Sequence, residues 1–145
     1  MSTTLLEKVI KIKKEHLDQI VQIEKLCFPC PWSKEQFEIA LTDTYTELYG
    51  IVYQNKIVSY LLCSVVIDYA EILNIATLPE YRKKGFAEEL LKYWLNFEHI
   101  KNIKIILEVR AKNIPAQNLY KKFGFHQIHI RKNYYKDDDA LVMER

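Results

Sequence analysis

From Asn74 to Ala87 the chain leaves an apolar strand, passes Leu78-Pro79, crosses the basic turn Arg82-Lys83-Lys84-Gly85 and enters a long helix. This junction constrains the fold more than any other stretch. The strand, Glu71 to Thr77, is followed by a helix predicted from Phe86 to Phe97, with Leu90, Leu91, Trp94 and Leu95 on its inner face. The first amides of a helix have no intrahelical partner and sit at the positive end of its dipole, which suits a pyrophosphate. Only three glycines exist in the chain, and Gly85 sits here, where it permits close backbone approach. Ala87 is small enough for tight packing, and Arg82, Lys83 and Lys84 add positive charge. An ordinary basic strand-to-helix loop has the same appearance. The turn is neither a Walker loop nor the Rossmann glycine pattern.

The rest of the chain fits around this junction. Val9, Ile10 and Ile12 predict a short first strand, and Leu17 to Cys27 has helical spacing. Phe28 to Trp32 is a proline-broken turn. Ser33 and Gln36 form a capping box for a second helix that reaches about Leu41. Leu48–Tyr53 and Ile57–Val66 read as strands joined around Gln54-Asn55. Ile103–Val109 is an apolar strand, and Pro115 suits the first turn of a helix that Gly124 ends. Phe125–Ile130 and Leu141–Met143 are the last strands. The order β-α-α-β-β-β-α-β-α-β-β predicts a mixed sheet with helices on its faces. With 145 residues, a single domain over 1–145 is expected.

Composition excludes several classes. Charges balance at +2 and are spread along the chain, so a nucleic-acid partner is not expected. No apolar run is long enough for a membrane span. Met1 to Lys14 lacks the apolar stretch of a secretory signal, so a cytoplasmic location is expected. Cys27 and Cys30 form a C-x-x-C, but prolines flank Cys30 and no second ligand pair accompanies it, so reduced thiols are expected. His126 and His129, three apart on a strand, are expected on opposite faces, and no metal is expected. A monomer is the default expectation.

Arg82-x-x-Gly85-x-Ala87 after a strand resembles the R/Q-x-x-G-x-G/A signature of the GNAT superfamily of N-acetyltransferases. The resemblance implies an α/β (α+β) GNAT fold, a mixed central sheet of about seven strands flanked by about four helices. It implies acetyl-CoA as co-substrate. The pyrophosphate would rest on the turn at Arg82 and on the backbone of Lys83, Lys84, Gly85, Phe86, Ala87 and Glu88. The backbone of Ile75, Ala76 and Thr77 would bond the pantetheine arm and acetyl group, and Asn113 matches a further cofactor contact. On residue type alone, Asn113 is also a helix N-cap.

More blocks carry a closer likeness. Phe28-Pro29-Cys30-Pro31-Trp32-Ser33, Asn74-Ile75-Ala76, Leu107 to Ala111, Leu119 to Phe125 and Arg131 to Tyr135 resemble the bacterial ribosomal-protein-alanine N-acetyltransferases. Cys30 in the first block, Ala87 in place of the commoner glycine, and the short Lys136–Asp139 turn depart from that pattern.

Acetyl transfer to an amine needs a neutral nucleophile, donors for the oxyanion and a proton for the thiolate. Glu108 interrupts the apolar strand Ile105–Val109, where a carboxylate is costly without a purpose, and it is the candidate base. A solvent-facing strand residue is the alternative, and the resemblance favours the base. Tyr120 is the candidate acid by resemblance; by spacing with Leu119 and Phe123 it is equally a core aromatic. Glu71, Tyr134 and Tyr135 are substrate-pocket candidates. An α-amine, with a pKa about 8 against about 10.4 for lysine, asks less of a base. The leading expectation is direct acetylation of a protein N-terminal amine, an alanine by resemblance, on small-subunit ribosomal protein eighteen. The alternatives are a GNAT enzyme acting on lysine side chains or a small-molecule amine, and a coenzyme-binding module without catalysis.

Overall fold

The computed structural model describes residues 7–145. The part of the N-terminal stretch before residue 7, read above for a targeting signal, lies outside them. Seven strands are β1 (Glu7–Lys11), β2 (Thr46–Tyr53), β3 (Lys56–Val66), β4 (Tyr69–Thr77), β5 (Lys104–Arg110), β6 (His126–Tyr135) and β7 (Asp138–Glu144). Four helices are α1 (Leu17–Cys27), α2 (Lys34–Thr42), α3 (Phe86–Leu95) and α4 (Ile114–Lys122). The element order is the expected one, and the strands form a single sheet in the order β1-β2-β3-β4-β5-β7-β6. All neighbours are antiparallel except β4 and β5.

Local chemistry fixes many of the boundaries. Ser33 Oγ accepts from the Gln36 amide at 3.2 Å, and Gln36 Oε1 accepts from the Ser33 amide at 2.8 Å. Gln54 and Asn55, with φ of 51° and 66°, make the two-residue turn that matches strand twist between β2 and β3. Gly124, at φ 89°, follows α4 as expected. The two sheet faces are covered differently. Tyr60 of β3 meets Phe37 of α2 edge-on at 6.1 Å, while Tyr49, paired with the next residue Leu61, meets Tyr93 of α3 at 5.7 Å. Residues next to each other along a strand point to opposite faces, so α1 and α2 cover one side and α3 the other. Among the described residues no helix is long and apolar enough to cross a membrane.

Two expectations about β6 need correction. The strand runs five residues past Ile130 and carries Tyr134 and Tyr135 at its end. It does so across an irregularity at Asn133, whose φ is 52° and whose amide donates to Asp139 Oδ1 at 2.8 Å. A second irregularity lies between Gln127 and His129, so that His126 opposes Glu144 and His129 opposes Val142. One extra residue restores the parity, and the two histidines share a face instead of opposing each other.

One feature of the topology makes the site. β4 and β5 pair only from Tyr69–Ile72 and Lys104–Leu107, and then part. Beyond that point Leu73 to Thr77 and Glu108 to Arg110 each keep one edge open, with a cleft between them.

Candidate active site

The cleft has two ends. One is a cavity of about 660 Å³ walled by Ile75, Ala76 and Thr77, by the turn before α3, and by Asn113. The other, about 990 Å³, is walled by Glu108, Tyr120, Tyr134 and Tyr135. Cys27, Phe28, Ile75, Asn113 and Ala116 line both, so the two cavities adjoin. Each volume suits a sizeable organic ligand.

At the first end, Gly85 is the residue before α3, in the left-handed conformation at φ 86°. A Cβ there would meet no protein atom within 4 Å, so the backbone angle is what calls for glycine in the protein itself. Lys83 is left-handed too, at φ 62°. The first intrahelical bond runs from the Glu89 amide to the Gly85 carbonyl at 3.0 Å. The amides of Phe86, Ala87 and Glu88 precede it without an intrahelical acceptor, and no side chain caps the helix. Every predicted cofactor residue except Lys84 lines this cavity. Arg82 turns inward: Nε donates to the Thr77 carbonyl at 3.1 Å, and Nη2 lies 3.3 Å from Cys27 Sγ. The Glu88 carboxylate pairs with Lys122 Nζ at 2.5 Å. Asn113 caps α4 through a bond from the Ala116 amide at 3.2 Å while lining both cavities.

At the second end, Glu108 is 21% exposed and Tyr120 is buried. Burial pushes the Tyr120 phenol well above its ordinary value, and negative charge on Cys63 or Tyr135 would add to the effect. Arg131 Nε stands 2.8 Å from Glu108 Oε2. Glu71 lies across from Ile106, outside the cavity lining. Its carboxyl is pushed up by burial and then by the charge of Glu108, with Arg131 opposing. Tyr134 and Tyr135 stack edge-on at 5.1 Å. Arg110 lies 4.2 Å over the Tyr135 ring and binds Asp137 at 2.6 Å.

The acetyltransferase (GNAT) family model matches residues 17–125. The chain belongs to the acetyltransferase (GNAT) family. A Bacillus subtilis relative is 38% identical to this acetyltransferase over 139 residues, 93% of this chain and 92% of its own. The ribosomal protein bS18-alanine N-acetyltransferase of Haemophilus ducreyi is 34% identical over 135 residues, 89% of each chain. The crystal structure of the ribosomal-protein-S18-alanine N-acetyltransferase from Escherichia coli superposes with a TM-score of 0.87 at 29% identity, covering 96% of this chain and 92% of that one. Arabidopsis thaliana NAA60 in complex with acetyl-CoA shares the fold, with a TM-score of 0.85 at 18% identity over 96% of this chain and 97% of that one.

Two residues that line the cleft of this acetyltransferase are not singled out by its sequence. Glu24 of α1 is 1% exposed and lines the second cavity. It accepts from the Trp32 amide at 2.9 Å, from Asn74 Nδ2 at 3.2 Å and from the Tyr60 hydroxyl. These bonds hold the Phe28–Trp32 turn against the sheet. A carboxylate on the apolar face of a helix is the same kind of signal that singles out Glu108. Cys27 donates its thiol to the Thr77 carbonyl at 3.4 Å, where the two cavities meet. All three cysteines are free thiols.

Proposed function

We propose that this acetyltransferase takes acetyl-CoA as co-substrate and passes the acetyl group directly to the N-terminal alanine of a protein, small-subunit ribosomal protein bS18. The supporting observation is the cleft where β4 and β5 part. Uncapped helix amides lie at one end, and Glu108 and Tyr120 lie at the other. The acceptor is supported by relatives named for bS18-alanine acetylation that match 89% and 93% of this chain. Such work belongs to the cytoplasm, where ribosomal proteins are made.

The amides of Phe86, Ala87 and Glu88 hold the diphosphate, and the open edge of β4 holds the arm that carries the acetyl group. Glu108 takes the proton from the incoming α-ammonium, directly or through a water, and the free amine forms its bond to the acetyl carbon. Tyr120 gives its proton to the sulfur as the carbon–sulfur bond breaks and takes up the second proton, which the attacking nitrogen sheds as it becomes the amide. Its raised pKa makes early proton transfer unfavourable, so the proton moves in concert with bond breaking. An α-amine with a pKa about 8 gives up its proton more readily than lysine at about 10.4, which favours an N-terminus.

The test is a peptide that starts with alanine and carries one internal lysine, incubated with labelled acetyl-CoA and mapped by tandem mass spectrometry. The label is expected on the α-amine. Label on the lysine alone overturns the acceptor assignment.

A further inference from the structure

Arg131 sits on the edge strand β6, outside the lining of both cavities. The register explains how it reaches the site. Glu108 and Arg110 of β5 oppose Val142 and Ala140 of β7, which in turn oppose His129 and Arg131 of β6. All six therefore share one face of the sheet. Arg131 and Glu108 are separated by the whole of β7, about 10 Å from strand to strand. An arginine spans that gap, and the residue between Arg131 and Arg110 is Ala140, which presents only a methyl group. Nε ends 2.8 Å from Glu108 Oε2. That oxygen is buried and receives no aligned hydrogen bond among the described residues, so the contact is one of charge and fit. With Oε2 held against Arg131, Oε1 is the oxygen left to face the cavity. The same guanidinium lies 5.5 Å from the ring centre of Tyr134, which packs on Tyr135.

We infer that Arg131 is a positioning residue: it clamps one oxygen of Glu108 and braces Tyr134, so that the proton-accepting oxygen and the acceptor-side wall are set together. The inference rests on Glu108 being the base. A lysine in the same place supplies the charge as a compact point but not the planar face that lies against the tyrosine.

The test is a double-mutant cycle on the full chain, read as kcat and KM for a peptide starting with alanine. The variants are Arg131→Gln, Arg131→Lys, Glu108→Gln and the double change Glu108→Gln with Arg131→Gln. Acetyl-CoA affinity by calorimetry reports that each remains folded. Arg131→Gln is expected to lower kcat/KM for the peptide about tenfold to a hundredfold, the cost of misplacing a reacting group, with acetyl-CoA affinity unchanged. Arg131→Lys is expected to recover part of that loss. In the Glu108→Gln background the arginine change is expected to cost much less, because the part of its effect that runs through the carboxylate is already gone and only the part that runs through Tyr134 is left. Full activity of Arg131→Gln, or an equal loss in both backgrounds, overturns the clamp. Full activity of Glu108→Gln is a different result: it removes the base assignment, and the clamp with it.

Discussion

The two ends of the cleft are made of different material. The coenzyme end is mostly backbone: three uncapped amides, an open strand edge and two left-handed residues, Lys83 and Gly85, before α3. The acceptor end is side chains drawn from far apart in the chain: Glu24 from α1, Glu108 from β5, Tyr120 from α4 and the tyrosine pair from β6. A site of amides depends on local backbone angles and fits into one short stretch of sequence. A site of side chains depends on strand register, and changes at Glu108 or Tyr120 are expected to leave coenzyme binding intact.

That division can be broken in a definite order. The largest effects belong to the acceptor end. Glu108→Gln and Tyr120→Phe should each lower kcat by about a hundredfold or more while calorimetric acetyl-CoA affinity stays constant. Loosened acetyl-CoA binding in either variant would contradict the division. Gly85→Ala should act at the other end. An L-residue in the left-handed region costs about 1–2 kcal/mol, so the turn shifts and acetyl-CoA affinity falls about tenfold, with peptide KM unchanged. Ser33→Ala should lower unfolding free energy in urea by about 1 kcal/mol through the lost cap of α2, without touching acetyl-CoA affinity.

The smallest effect concerns Glu71. Its native carboxyl titrates above the unfolded value, chiefly through burial and then through Glu108. Between those two values the native state holds more protons than the unfolded state, so stability declines as pH rises through the window and stays lower above it. Glu71→Gln removes that loss. The variant should match wild type at acid pH and melt about a degree higher at neutral pH in scanning calorimetry. A constant offset across pH would show that the charge is not the cause.

The sequence made the local devices legible. Ser33 with Gln36, the Gln54-Asn55 turn, Asn113 at the start of α4 and Gly124 at its end each act over a few residues, and residue types alone placed them. The order of strands and helices followed from apolar runs and turn residues. What stayed hidden was long-range. The irregularities in β6 change side-chain parity without a propensity signal, so the histidines were expected on opposite faces and the strand was expected to end early. The Arg131–Glu108 contact crosses a whole strand, and the Glu24–Asn74 bond joins residues 50 apart. Arg82 read as turn charge, yet its guanidinium is tied to Thr77 and Cys27. Composition carries no register, so side chains that meet across a sheet are visible only once the strands are aligned.

Amide hydrogen exchange with and without acetyl-CoA tests the central claim directly. If backbone holds the coenzyme, protection should appear at Phe86 to Glu88 and along Ile75 to Thr77, while β6 exchanges as before. Protection confined to β6 and the Tyr134–Tyr135 wall, with the start of α3 unchanged, would contradict the account.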